Sequence, residues 1–316
     1  MTFAQRREHW LKALSGEDRH SIKNQLWEMT FDLATFDVIN EARRLAPPAQ
    51  EGGVQLNGLM HRFLNRGFFN SQMVAVRRLC DTYDLEGKKS VYSLTGLLKD
   101  MQKHVKLFTR ESIFRAEGLE YDPGPTRQRY DKYALERENA GERVHCISDH
   151  LDWTKIEARH EEADRLAGIT RDKRAAHDTI SEMVFNNLLK KVEAACQDIR
   201  KYVDKFIAHA ATPKSRETIE ADKLSITLKH IREAHQQLCQ VTHFLSVYVL
   251  GDACIEFLAT PQYDQFKYIE RPLISDADKE NLRKVWRDFH DQCNQSNQWG
   301  LDEFDQEFIN KTKDMR

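Results

Sequence analysis

Apolar residues along this chain recur every three or four positions, the period that builds one buried face on an α-helix. Ile22, Leu26, Met29, Leu33, Phe36 and Ile39 form one such set, and Leu94, Leu97, Met101, Val105 and Phe108 another, with Ser93 placed as an N-cap ahead of it. A longer set runs Ile180, Val184, Leu188, Val192, Ile199, Val203 and Phe206, preceded by Thr179-x-x-Glu182, which has the form of a capping box. It predicts a helix over about 179–209, closed by Pro213. Leu228, Ile231, Leu238, Val241, Leu245 and Val249 predict a partner helix over about 225–250, and Leu282, Val285, Trp286 and Phe289 a shorter one near the C-terminus.

β-like runs are confined to KSVYSL and YDQFKYI, while Pro and Gly gather at Pro47-Pro48, Gly52-Gly53 and Asp122-Pro123-Gly124-Pro125. The stretch from Tyr121 to Gly141 is polar and rich in Arg and Glu, and it reads as an exposed loop carrying a charged helix. The expected fold is therefore all-α. One helical bundle spans 1–316, with its core over about 20–250, a long central excursion of loop and helix, and a helical extension over 251–316.

Charge narrows the partners. The 316 residues include 48 Lys or Arg against 50 Asp or Glu, so no global field draws the molecule onto a polyanion, and any such site must be local. No apolar run reaches the length that spans a bilayer, and the N-terminus carries charges where a signal peptide needs apolar residues. The expectation is an intracellular, cytoplasmic protein without membrane contact. Six scattered cysteines without a C-x-x-C pair suit reduced, mostly buried thiols. His145, Cys146 and His150 are the sharpest metal arrangement, but no fourth ligand stands nearby, and no metal or other cofactor is expected. A Gly-rich phosphate loop, a G-x-S-x-G elbow and a dinucleotide fingerprint are all missing.

The candidate chemistry sits in VDKFIAHAATPKSRE, residues 203 to 217. At about 100° per residue, Lys201, Lys205 and His209 form a row beside the apolar stripe that holds Val203. From Lys190 to Arg216 there are seven Lys or Arg against three Asp or Glu, a local excess suited to phosphate. RDKRAAHD, residues 171 to 178, repeats the skeleton D-K-x-x-A-H, here led by Arg171 and closed by His177. His160 and Asp164, in EARHEEADR, read as a solvated helix surface.

At these residues the chain resembles the HEPN superfamily, all-α proteins marked by an Arg, a polar residue and then a His. VRRLCD…SVYSLTGLLKDMQKHVKLFTRE followed by FIAHAATPKSRE is most similar to its abortive-infection branch, over roughly residues 20 to 250. The resemblance implies a metal-independent endoribonuclease that works as a homodimer in toxin or antiphage defence. Its alternative is a catalytically inactive interaction module with an antitoxin or other protein partner. Cleaving RNA without metal needs a base for the 2′-OH, an acid for the 5′-oxygen and a cation for the phosphorane. The resemblance gives His209 the proton transfer and Asp204 the polar position, with Lys205 as a cation in place of the expected arginine, which is Val203 here. The second match offers Arg171 and His177. Lys201, Arg174, Lys214 and Arg216 are the expected RNA-binding cations, and between the two stretches the sequence leaves the site open.

Overall fold

The computed structural model describes residues 1–45, 58–88, 90–140, 151–208, 211–217, 225–253, 256–258, 262, 264, 266–267 and 278–296. Its helices are α1 (Phe3–Ser15), α2 (Ile22–Leu45), α3 (Gly58–Leu79), α4 (Leu94–Lys103), α5 (Arg110–Ala116), α6 (Pro123–Asn139), α7 (Trp153–Ala167), α8 (Glu182–Tyr202), α9 (Pro213–Arg216), α10 (Leu228–Phe244) and α11 (Lys279–Ser296). Among the described residues there is no strand, only a single antiparallel bridge between Thr109 and Thr179. The all-α expectation holds. The chain divides into two compact units, Met1–Ala259 and Thr260–Arg316.

In the first unit α8 is the central helix, packed against α10, α4 and α3. Its stripe of Phe185, Val192, Cys196 and Ile199 is buried, as the period requires, and Ile231, Leu238 and Val241 of α10 meet the same core. Each such aliphatic side chain contributes about 1.5–3 kcal/mol by leaving water. Trp10 of α1 is fully buried, stacked on Phe108 at 4.8 Å, and its indole N–H donates to Asp100 Oδ2 at 2.7 Å. α2 and α3 pack together but enter the core at one end only. The buried residues of α2 are Ile22 to Leu33, those of α3 Gln72 to Leu79. Toward the outer end Phe36 stacks on Phe68 at 3.8 Å, while Phe63 is left 78% exposed.

Caps decide several boundaries. Ser93 Oγ accepts from the Gly96 N–H at 3.0 Å and opens α4 as expected, but the helix breaks at His104 and continues as a 3-10 turn to Leu107. The cap of α8 is Ser181 and not Thr179, which is drawn into the bridge with Thr109. Asp122 caps α6, whose first turn absorbs Pro123, Gly124 and Pro125; the proline that suggested a break fits the N1 position. Only Thr126 of that helix is buried, in line with the charged excursion. KSVYSL forms no strand over 90–94, and most of YDQFKYI lies outside the described residues.

Both α8 and α10 end in a π-turn, Val203–Ile207 and Leu245–Val249. The wider turn closes on an i to i+5 hydrogen bond, seen in Ala208 N–H to the Val203 carbonyl at 2.8 Å. The regular helix therefore stops well before 209. Pro213 does not terminate it but opens α9, capped by Thr212. The carbonyls ending the second π-turn are satisfied by two arginines from elsewhere: Arg7 donates to Leu250 at 2.7 Å and Arg159 to Tyr248 at 2.8 Å.

In the second unit, α11 carries Leu282, Val285, Trp286 and Phe289 at the predicted helical spacing, all of them exposed. No described helix of either unit is long and apolar enough to cross a membrane.

Candidate functional site

The residues flanking His209 converge at the end of α8. His209 itself lies outside the described residues, so the site is defined by its neighbours. Val203 is 1% exposed and belongs to the core, which fixes the π-turn, while Asp204 and Lys205 come out half-buried beside it. Because the π-turn intervenes, Lys201 and Lys205 do not continue the straight row that a regular α-helix would give. Lys205 instead swings to the following segment, where its ammonium donates to Ser215 Oγ at 2.7 Å. Arg216 covers the Phe206 ring at 5.8 Å, and Phe206 stacks on Tyr202 at 4.7 Å. Residues 211–217 are thereby folded back on the helix end. Lys201 and Lys214 are exposed.

Asp204 has a partner that sequence spacing does not reveal. Arg77, 127 positions away on α3, donates from Nε to Asp204 Oδ1 at 3.1 Å and from Nη1 to Asp81 Oδ2 at 2.8 Å. The hydrogen bond to Asp204 is the main reason the guanidinium sits above its ordinary pKa. Asp81 also borders a recess of about 490 Å³ lined by Arg78, His20, Gln25 and Tyr92 among others. The only sequence signal for Arg77 is its place in VRRLCD, which nothing local ties to Asp204. Arg200, at the last turn of α8, is turned to Glu193 at 3.1 Å and plays no part in this cluster.

The second stretch is arranged differently. Residues 175–180 are pinned to the start of α5: Arg110 N–H donates to the Asp178 carbonyl at 2.7 Å and Glu111 N–H to that of Ala176 at 3.0 Å. Arg171, 73% exposed at its side chain, meets Glu157 at 3.4 Å. Arg174 turns inward, its Nε 2.8 Å from Asp164 Oδ2. His177 is exposed, and among the described residues no hydrogen bond or ion pair joins it to Arg171.

Beneath this loop lies a buried ionic cluster. Arg110, 1% exposed, donates to Asp164 Oδ1 at 2.7 Å and to the His160 carbonyl at 3.0 Å. His160 and Asp164 are therefore not a solvated surface: they are 4% and 8% exposed. Nε2–H of His160 donates to the Tyr121 carbonyl at 2.7 Å, and Nδ1 accepts from Arg110 at 3.3 Å. Burial, helped by Arg174 and Arg110, holds the imidazole below its ordinary pKa and neutral. Every polar edge of this histidine is engaged, so it serves the loop and not catalysis.

The described thiols are buried or half-buried. Cys80 and Cys196 are free and buried, and a mutual hydrogen bond followed by burial pushes the Cys196 thiol up. Burial raises Cys239 to about 12. His145, Cys146 and His150 lie outside the described residues. Among the described residues no cluster of three His, Cys, Asp or Glu is placed to hold a metal ion.

The site thus joins a carboxylate, an ammonium and a guanidinium at the end of a helix whose next turn of sequence holds His209. The family model HEPN_AbiU2, described as AbiU2, matches residues 8–279. This chain belongs to the HEPN_AbiU2 family. The match covers most of the chain, including both the stretch at 171–178 and the one at 203–217, and bears out the resemblance to the abortive-infection branch. Comparison with curated proteins and comparison with solved structures each return no match.

Proposed function

We propose that this HEPN_AbiU2 chain binds RNA and cleaves it without metal, as a cytoplasmic homodimer of the toxin or antiphage-defence type. The observation that carries this reading is the Lys205–Ser215 hydrogen bond, 2.7 Å, which ties the end of α8 to α9. In the sequence His209 falls between these two joined segments, and Lys201, Lys205, Lys214 and Arg216 flank it along the chain. Fixing a proton carrier beside a phosphate site converts substrate binding into rate.

In this reading His209 moves the proton of the transesterification. The ribose 2′-oxygen attacks the adjacent phosphorus, the bond to the 5′-oxygen breaks, and the proton lost from the 2′-OH is balanced by one delivered to the leaving 5′-oxygen. The products are a 2′,3′-cyclic phosphate and a 5′-hydroxyl. Cleavage in excess chelator, ending in those termini and abolished by 2′-deoxy substitution at the scissile nucleotide, is the expected result. Cleavage that needs a divalent ion, or that accepts a 2′-deoxy substrate, overturns it.

One observation favours a second reading. Val203, buried where the HEPN pattern carries arginine, suits a catalytically inactive interaction module that binds an antitoxin or other protein partner. RNA binding without cleavage, together with stable capture of such a partner, would select it.

A further inference from the structure

An arginine at 203 would bury its charge among Cys196, Ile199 and the other apolar residues of the α8 stripe, because that position is 1% exposed. The cation that stands next to Asp204 comes instead from α3. Arg77 is gripped by two carboxylates through two of its three nitrogens, Nε to Asp204 and Nη1 to Asp81. This fixes the plane of the guanidinium. Its side chain remains 35% exposed, and among the described residues Nη2 has no hydrogen-bond partner.

We propose that Arg77 takes the place left by Val203 and binds the non-bridging oxygens of the scissile phosphodiester through its open Nη2 edge. The assignment rests on the RNA-cleavage reading above. Asp81 and Asp204 exceed the charge of Arg77, and even with Arg78 and Lys205 counted, Asp18 in the same recess brings the group to neutrality, so the phosphate would be met by the open guanidinium nitrogen and not by a general positive field. Arg78 is exposed and makes no ion pair among the described residues; it lines the recess of about 490 Å³ that begins at Asp81. That recess gives the RNA chain room to continue past the phosphate. A guanidinium held in place by two carboxylates loses little freedom when its third nitrogen meets a phosphate, and the single ammonium of Lys cannot be gripped on two sides in this way and still present a fixed open donor.

A plain structural ion pair would show the same distances, so the test must read chemistry apart from stability. Full-length protein is given a mixed-sequence single-stranded RNA oligonucleotide together with total cellular RNA, and single-turnover cleavage is followed at saturating protein. Arg77→Lys is expected to bind RNA within about twofold of wild type and to cleave roughly 100-fold more slowly. Arg77→Ala should be as slow and regain part of its rate when low millimolar guanidinium is added. Arg78→Ala should weaken binding, whereas Arg115→Ala, which removes an exposed cation on α5 outside this cluster, should leave binding and rate unchanged.

Arg77→Lys at the wild-type rate, or Arg77→Ala showing only a lower melting temperature without guanidinium rescue, overturns the assignment. If wild type cleaves and His209→Ala does not, such a result removes Arg77 alone from the site. If wild type neither binds nor cleaves RNA, the RNA-cleavage reading fails and the role of Arg77 fails with it.

Discussion

Arg110, at the first position of α5, is joined to Asp164 of α7 at 2.7 Å with 1% of its side chain exposed. Asp178 stands on its other side at 3.4 Å, and Arg174 completes the cluster from the loop. The pair ties α5, α7 and the 171–178 loop into one body. Removing one member of a buried pair strands the other charge, which typically costs about 3–5 kcal/mol. Arg110→Ala is therefore expected to lower unfolding stability by about that amount in a denaturant titration. A loss under 1 kcal/mol would mean that the cluster is open to water.

His160 and His235 make stability depend on pH. Burial is the largest influence on both and lowers both below the ordinary value. The native state then refuses a proton that the unfolded chain accepts. Their contribution is complete above about pH 6.5 and is lost as pH falls from there toward the folded pKa, by up to about 1.4 kcal/mol per pH unit for each histidine. Denaturant titrations between pH 7.5 and 5.5 should show this decline. His235→Gln, which keeps a donor for Thr30 Oγ1, should reduce the slope; a slope that persists unchanged would assign it to other groups.

Much of the helical layout is legible in the sequence, because a 3.6-residue period with Ser or Thr ahead of it needs no distant partner to be read. α2, α4, α8, α10 and α11 follow from that signal alone. The ends of α8 and α10 do not, since apolar period is indifferent to a π-turn. The charged pairs escape for a different reason. His160 and Asp164 look solvated in EARHEEADR because Arg110, 54 positions from Asp164, supplies the counter-charge that permits burial. Arg77 and Asp204 are likewise brought together by packing of α3 on α8. Within the candidate site, Asp204, Lys205 and Arg216 are readable as a motif, whereas the grip on Arg77 is a property of the fold.

RNA affinity should carry the signature of the cations around the helix end. Lys205→Ala and Arg216→Ala are each expected to weaken binding and to flatten the plot of log affinity against log salt by about 0.7 for a single strand. Fluorescence anisotropy over a salt series measures this. Two variants with the wild-type slope would place the RNA elsewhere on the protein.

The central claim is that the chemistry belongs to the stretch at 203–217 and not to its relative at 171–178. Cleavage of RNA in excess chelator by His209→Ala and by His177→Ala tests it most directly. The exposed His177 has no hydrogen bond or ion pair among the described residues, so its loss should leave the rate within about twofold. His209→Ala should lower the rate by about 100-fold or more at an unchanged melting temperature. Full activity in His209→Ala, with activity lost in His177→Ala, would contradict the account and move the site to the loop over Arg110.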